Sequence, residues 1–449
     1  MAIKEKFFIQ GNKVMLYKRG DEGQGYAPAN WYVKIKFPRR PAARQSLGTP
    51  DKDEAIELAN DLFQEQKYRN KKGLSIKQTS FNSVAKQYLS DLESRAAIWQ
   101  QLPPRDRGNL QWASNNKLKN QTPIIQQHLI PHFDGLNIQD ISKKDVKAYK
   151  RMRQTYWIDG KGAAMDKITY HRNGRKVSRP KRPSEKSAPS YGTVNKELTV
   201  LRQIFEFAHE KNLLSSTEIP AIRNLPKPKN YDESHDRPSF TEDELETVLK
   251  TIAKKWEGQK NLKHKLAHMR LLYYILLLSM TGMRVTEAKN LRFSAFQTYN
   301  HHGVQELKVT VGGKSKKRVL TPTEGCSEMI ERWKKHHKAN AKKHGWDYSD
   351  DIYVMTNEHG ERIKSHDRAL SAALEECDLL YTMHGTKRNA GSFRSHYITT
   401  ALINSELTPI QLAVNCGTSV EVIERHYNKM QSTHIPDKFK FPSFINDYF

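Results

Sequence analysis

The sequence predicts a multidomain, mainly α-helical protein with two small β regions. Its 449 residues exceed what one ordinary hydrophobic core holds, so two or three domains are expected. Apolar residues recur at helical spacing over most of the chain, whereas the alternation typical of strands is confined to short stretches near 31–37 and 306–320. A proline-rich polar stretch, LPKPKNYDESHDRP, interrupts the helical pattern and predicts a linker over residues 225–236.

The composition indicates a polyanionic partner. The chain carries a formal net charge of +26, an excess found most often in nucleic-acid-binding proteins, with a ribosome-associated or merely basic protein as the alternative. The longest apolar run, LLYYILLLSM, is about half of the ~20 residues that cross a membrane, and the N-terminus lacks a signal-peptide pattern. The three cysteines lie far apart and offer no zinc spacing. We therefore expect a cytoplasmic protein without membrane contact or a zinc site.

Residues 1–75 predict a small unit of β-strands and one helix. In WYVKIKFPRR, apolar residues alternate with Lys34 and Lys36, and Arg39 follows. A helix over TPDKDEAIELANDLF completes the unit, for which we expect three strands. The three basic side chains could lie in a DNA groove, although a solvated strand face is an equal alternative.

Residues 79–224 predict a helical region. One helix begins behind Thr79 or Ser80 as its N-cap. Another follows TVNKELTVLRQIFEFA, a narrow apolar stripe that is typical of a helix bundle. Its polar face carries Lys196 and Arg202, which are candidate DNA contacts.

Within this region the chain becomes strongly basic near residues 160–190, in KITYHRNGRKVSRPKRPSEKSAPS. The proline, serine and charge content predicts a mobile, phosphate-binding insertion rather than a packed element.

Residues 237–449 predict a further, mostly helical domain. Thr241 and Glu244 form a capping box and Phe240 with Leu245 a hydrophobic staple, so a helix begins here. Helical spacing continues from there and is interrupted by one predicted β-hairpin, in which ELKVTV and RVLTP flank GGKSKK.

Two arginines lie at positions where a positive charge is expected to bind an anionic or carbonyl partner. Arg284 directly follows a very apolar helix, and an unpaired charge against such a helix is costly. Its partner is either Glu287, in an ordinary ion pair, or a phosphate oxygen held by the guanidinium fork. Arg394 lies at the start of a predicted helix, and an arginine beside a helix N-terminus suits an anion.

Two further side chains have both an ordinary and a chemical interpretation. Lys314 lies at the tip of the hairpin, near Lys316 and Lys317, where it is either a solvated lysine or a general acid beside a DNA phosphate. Tyr427 follows Ile423 by four residues on the last predicted helix, so it is either a core residue or a nucleophile. Nothing in the adjacent sequence decides between these alternatives.

The order of these residues resembles the tyrosine recombinase (phage integrase) family. Members carry TGxRxxE, a hairpin lysine, HxxR and a terminal tyrosine, and this chain has TGMRVTE, GGKSKKRVLTP, GSFR and HY. The resemblance covers about 237–435 and makes 237–449 a catalytic domain with a C-terminal tail. It likewise implies that 79–224 is a core-binding domain and 1–75 an arm-type DNA-binding domain. The implied catalytic residues, of which the tyrosine is the nucleophile, are Arg284, Lys314, Arg394 and Tyr427.

Two positions depart from the family pattern. Gly391 stands where the family has a histidine, which leaves the group that removes the tyrosine proton unassigned. Thr418 stands where the family has histidine or tryptophan, and its hydroxyl can still donate to a phosphate oxygen. His396 is the nearest substitute for the missing histidine, ahead of His384 and His426. Together with Thr418 and His396, Glu287 is expected to support the site.

The resemblance implies site-specific DNA recombination through a 3′-phosphotyrosine intermediate, by which a mobile element or prophage is integrated or excised. Two arginines and a lysine neutralise the phosphate, so neither metal nor cofactor is expected. The implied partner is double-stranded DNA held by a homotetramer, with an accessory bending or directionality factor. A non-catalytic DNA-binding protein of the same fold and a type IB topoisomerase are the alternatives, and residues 1–75 favour a recombinase over the topoisomerase.

Overall fold

The computed structural model of the chain has a mainly α-helical, multidomain fold, as the sequence predicts. It divides into two compact units, Met1–Pro228 and Lys229–Phe449. A finer division of the first unit near residues 75–79 stays a prediction, and most of the predicted linker lies outside the described residues. The structure describes residues 3–19, 29–38, 42–103, 114–172, 175–182, 185–228, 237–312, 317–404 and 407–427.

The first unit begins with an antiparallel sheet of four strands in sequential order, so the expectation of three strands is wrong. The edge strand with the sequence ARQS is mostly exposed and lacks apolar alternation, so the sequence pattern does not reveal it. The alternating stretch is a strand whose apolar side chains are buried, as predicted. The strands are β1 (Ile3–Ile9), β2 (Val14–Arg19), β3 (Trp31–Ile35) and β4 (Ala43–Ser46).

Helix α1 (Lys52–Lys71) packs on this sheet and is tied to the helical region that follows. Its buried Arg69 donates to the carbonyl of Ser75 at 2.7 Å and to that of Leu213 at 2.6 Å. The same guanidinium forms an ion pair with Glu218. Because a charge-assisted bond to a carboxylate is stronger than a neutral one, Arg69 stabilises the packing of α1 on the helices.

The helical region has the predicted apolar stripes in its core. Ser80 caps the first helix, with its hydroxyl oxygen accepting from the amide of Ser83 at 3.2 Å. Inside the bundle, Glu197 accepts from Tyr149 and Arg153, each at 2.7 Å, so the buried carboxylate is paired. The helices are α2 (Phe81–Gln101), α3 (Asn115–Ile124), α4 (Ile130–His132), α5 (Lys143–Thr155) and α6 (Tyr191–Glu210).

The basic insertion contains regular structure, which corrects the expectation drawn from its composition. Strands β5 (Lys167–Arg172) and β6 (Arg175–Pro180) pair as an antiparallel hairpin. Arg179 is bound by both oxygens of Glu185 at 2.6 Å. Strand pairing satisfies the backbone without a hydrophobic core, and the Asn173-Gly174 dipeptide between the two strands is a hairpin signal that composition alone overlooks.

In the second unit, the predicted capping box at Thr241 and Glu244 is confirmed. Phe240 is buried in the same core that Leu245 contacts. The helices are α7 (Glu242–Gly258), α8 (Leu262–Thr281), α9 (Val285–Ala288), α10 (Cys326–His344), α11 (Asp367–Glu376), α12 (Gly391–Asn404), α13 (Pro409–Cys416) and α14 (Val420–His426).

The predicted hairpin of this unit is part of a three-stranded antiparallel sheet. The added strand, FQTYNH, exposes most of its residues and shows little apolar alternation. On the central strand Val309 and Val311 are buried, as their alternation predicts. The strands are β7 (Phe296–His301), β8 (Val304–Gly312) and β9 (Lys317–Leu320). Among the described helices, none is both long and apolar enough to span a membrane.

Candidate active site

An open cleft of about 490 Å³ lies in the second unit, between residues that are distant in sequence. It is lined by three arginines and one tyrosine, so it presents positive charge next to a phenol. Residues that line it include Arg237, Arg284, Gly391, Arg394, Thr418 and Tyr427. Three of the four residues implied to be catalytic therefore line one cleft, while Lys314 lies outside the described residues.

Arg284 is held at the edge of the cleft by the end of α8. That helix stops at Gly282, whose φ of +56° places it in the left-handed region. Arg284 then caps α9, and its guanidinium donates to Glu287 at 3.0 Å and to the carbonyl of Gly417. Its side chain stays 44% exposed although it is paired, so the ion pair leaves part of the guanidinium accessible to a phosphate.

Glu287 joins Arg284 to a second arginine that the sequence did not single out. Its side chain is buried and also accepts from Arg318, on β9, at 2.8 Å. Arg318 donates further to the carbonyl of Asn415, next to the turn that contains Thr418. Burial lowers the pKa of Arg318, and the attraction of Glu287 opposes this effect. In the sequence Arg318 belongs to a uniformly basic run, which gives no sign of this role.

Arg394 lies on the first turn of α12 and is almost fully buried. It donates to the carbonyl of Gly282 at 2.7 Å, so it contacts the same helix end that positions Arg284. The backbone turn at the end of α8 therefore positions both Arg284 and Arg394. A helix N-terminus carries partial positive charge, which adds to that of the guanidinium groups.

Tyr427 combines a buried ring with a phenol group that lines the cleft. It follows the last residue of α14, and its ring packs with Tyr397, Cys416 and Ile423 in a small apolar cluster. Its hydroxyl accepts from Arg237, whose guanidinium carbon also lies 4.8 Å from the centre of the tyrosine ring. Packing therefore fixes the ring, while the phenol group lines the cleft.

Arg237 was not predicted as a site residue. It lies at the end of the proline-rich stretch, shortly before the capping box. The composition of that stretch indicates only a polar linker. Its contact with Tyr427 joins residues that are 190 positions apart in the chain. No local sequence signal could have identified it.

The two positions that depart from the family pattern line the cleft, whereas the histidines suggested as substitutes do not. Gly391 and Thr418 both line the cleft. His396 lies elsewhere: its Nδ1 donates to the carbonyl of Phe240 at 2.9 Å, and its ring lines a separate pocket. A residue two positions after Arg394 on a helix points about 200° away from it, which the sequence alone could have indicated. This placement does not support His396 as the proton acceptor, and His384 also lines another pocket.

The candidate DNA contacts are mostly accessible. Lys36, Lys196 and Lys317 are exposed, and Lys34 is half-buried. Arg202 is engaged within the protein, since it donates to the carbonyl of Ile222 at 2.6 Å. Arg39 and Lys316 lie outside the described residues.

Within the described part of the chain, no three His, Cys, Asp or Glu side chains form a possible metal site.

Neither a protein-family model nor a curated protein sequence matches this chain. Solved structures match its fold. The XerH site-specific recombinase bound to difH substrate in a pre-cleavage complex superposes with a TM-score of 0.50, at 13% identity over 81% of this chain and 97% of that one. Its post-cleavage complex gives 0.50, at 14% identity over 81% and 98%.

The Tn1549 transposon integrase, in complex with circular intermediate DNA, matches with a TM-score of 0.47, at 14% identity over 78% of this chain and 99% of that one. The fold of this chain is that of the tyrosine recombinases, as the sequence resemblance predicts.

Proposed function

We propose that this protein is a site-specific DNA recombinase that cleaves and rejoins DNA through a 3′-phosphotyrosine intermediate. The observation that carries the proposal is the cleft in which Arg284, Arg394 and Tyr427 meet. Two guanidinium groups beside one phenol suit a phosphodiester, because arginine binds phosphate oxygens in a bidentate fork. The tyrosine recombinase fold and the net charge of +26 agree with DNA as the substrate.

In the proposed cleavage step, Arg284 and Arg394 bind the non-bridging oxygens of the scissile phosphate and stabilise the charge of the transition state. The Tyr427 oxygen attacks phosphorus, so a P–O bond to tyrosine forms while the bond to the 5′ oxygen breaks. Lys314 gives a proton to that leaving oxygen. Since the phosphotyrosine conserves the phosphodiester, a 5′-hydroxyl from another duplex can reverse the step and exchange strands.

The wider assembly follows from this chemistry. Exchange between two duplexes needs four active sites, so we propose a homotetramer on double-stranded DNA. An accessory bending or directionality factor, and action on a mobile element or prophage at the nucleoid, complete the proposal. The exposed lysines at positions 36, 196 and 317 are proposed phosphate contacts, as is the basic hairpin of β5 and β6.

A covalent-adduct experiment tests the activity. Duplexes that the full-length protein selects from a random-sequence pool are footprinted, and the protected region is rebuilt with one nick at successive positions. A nick near the cleavage point lets a short 5′-hydroxyl fragment leave, so the adduct accumulates on a denaturing gel. We expect an adduct with the wild-type protein and with Tyr381→Phe, a control at an exposed tyrosine, and none with Tyr427→Phe.

Two outcomes would favour the alternatives. Specific binding without any adduct on the nicked series indicates a non-catalytic DNA-binding protein, for which the glycine at position 391 is the best support. Adduct formation with relaxation of plasmid DNA, but without exchange between two duplexes, indicates a type IB topoisomerase.

A further inference from the structure

One arginine contacts the phenol oxygen of Tyr427, the nucleophile proposed above. This arginine, Arg237, belongs to none of the family motifs. Arg237 donates to the Tyr427 hydroxyl and stacks against the ring, with 4.8 Å between the guanidinium carbon and the ring centre. The side chain is partly buried in the wall of the cleft. A cation so placed acts directly on the atom that attacks phosphorus.

The segment that bears Arg237 is fixed to the unit through several contacts. Arg388 donates to the carbonyl of Ser239 at 2.9 Å and binds Glu244 at 2.7 Å. Phe240 stacks on Phe393, with 4.8 Å between ring centres and 18° between their planes. The position of the guanidinium is therefore set by packed and hydrogen-bonded neighbours.

Helix α12, which carries Phe393, also holds Tyr427. Thr399 on α12 donates to the backbone carbonyl of Tyr427 at 3.0 Å, and His396 on that helix binds Phe240. Helix α12 therefore positions Arg394, the segment that bears Arg237, and Tyr427 together. Such mutual fixation of a donor and its target is what electrostatic stabilisation requires.

The cleft has few other groups that could accept the proton of the Tyr427 phenol or stabilise its oxygen. Among the described residues that line it, none is a histidine, and Gly391 has no side chain. A guanidinium is always protonated and cannot accept the tyrosine proton. What it can do is stabilise the negative charge on the phenol oxygen once that proton has left.

We propose that Arg237 is a further catalytic residue, which stabilises the anionic Tyr427 oxygen in both cleavage and rejoining. This inference rests on the proposed function. In cleavage the phenol proton passes to water in the open cleft, the P–O bond to tyrosine forms, and the 5′ oxygen leaves with the proton of Lys314. In rejoining, the 5′ oxygen returns that proton to Lys314 as it attacks, and Arg237 stabilises the departing phenolate.

Two rates test this role: single-turnover adduct formation on the nicked duplex, and rejoining of the isolated adduct to an added 5′-hydroxyl strand. We expect Arg237→Gln to slow both adduct formation and rejoining by about 100-fold, the usual effect of losing one such donor. Binding of the same duplex should change by less than about 3-fold, since the lost contact is to tyrosine rather than to a phosphate. Arg237→Lys keeps the charge but loses the fork, so its rates should fall between the two.

A matched control and a rescue separate chemistry from structure. Arg292 also stacks on a tyrosine, 4.4 Å from the ring centre of Tyr353, and lies outside the cleft, so Arg292→Gln should leave the rates unchanged. Fluorotyrosine at position 427 loses its proton more readily than tyrosine. It should therefore restore much of the rate that Arg237→Gln loses, which a purely structural defect would not allow.

The outcomes distinguish the two proposals. Wild-type protein that forms no adduct contradicts the recombinase itself. An adduct whose rate is unaffected by Arg237→Gln, or falls only in step with binding, overturns the role of Arg237. Faster cleavage by the variant also overturns it, because Arg237 would then restrain the tyrosine rather than activate it.

Discussion

Tyr427 has its ring in an apolar cluster and its hydroxyl at a cleft that contains three arginines. Burial of the ring leaves the oxygen few positions to occupy, so the proposed nucleophile is already oriented. Orientation of this kind lowers the entropic cost of attack. The Tyr427 side chain can therefore be both a core residue and the proposed nucleophile.

His396 provides a test at the scale of one residue. Since its ring donates to Phe240 and lines a different pocket, we expect His396→Gln to keep adduct formation within a few-fold of wild type. The free energy of unfolding should fall by about 1 kcal/mol for the lost or weakened hydrogen bond. Parallel denaturant titrations and adduct assays measure both quantities. A loss of about 100-fold in rate with unchanged stability would instead assign His396 to the chemistry.

At the scale of elements, the end of α8 connects the fold to the site. Gly282 ends the helix, its carbonyl accepts from Arg394, and Arg284 follows two residues later. A Cβ atom at this glycine would lie 2.3 Å from the ring of Tyr397. The glycine is therefore required both for its backbone conformation and for the close approach of α12.

We accordingly expect Gly282→Ala to be strongly destabilising. A left-handed backbone costs a non-glycine residue about 1–2 kcal/mol, and overpacking adds about 1–3 kcal/mol. Chemical denaturation of the full chain measures the loss. Gly258→Ala is the matched control, because no atom lies within 4 Å of its added Cβ and α7 ends there. Equal stability of the two variants would contradict the close packing at Gly282.

At the scale of the whole molecule, acid should destabilise the protein through buried neutral histidines. Burial, with a smaller contribution from the nearby Arg270, lowers the pKa values of His337 and His366 from 6.5 to about 4. In the first unit, burial lowers that of His128 to about 4 as well. Acidification also adds charge to a chain that already carries +26, which increases its self-repulsion.

The sign of the pH dependence follows from these pKa values. Between pH 6.5 and 4 the unfolded chain binds more protons than the folded one, so stability is complete above pH 6.5 and falls toward pH 4. Each buried histidine contributes on the order of 3 kcal/mol over that range. Unfolding midpoints recorded from pH 7.5 to 4.5 should stay level down to about pH 6.5 and then fall.

Two histidine variants test the origin of this fall. His366→Phe should flatten the decline, whereas His264→Gln, at an exposed position on α8, should not. A decline that is identical in His366→Phe and wild type would assign the effect to other groups.

The sequence by itself determined the features that depend on local interactions. The mainly helical fold, the Ser80 cap of α2 and the capping box of α7 follow from periodicity and cap chemistry, which act over a few residues. The order of arginines, lysine and tyrosine resembled the family whose fold the structure has. The edge strands β4 and β7 were missed because they carry little apolar pattern.

Only the tertiary structure decided which of those side chains meet. Arg237 reaches Tyr427 across 190 positions, and Arg318 reaches Glu287 from another element, through contacts that no local pattern encodes. Such long-range contacts form only when the core closes, and they specify the chemistry of the cleft.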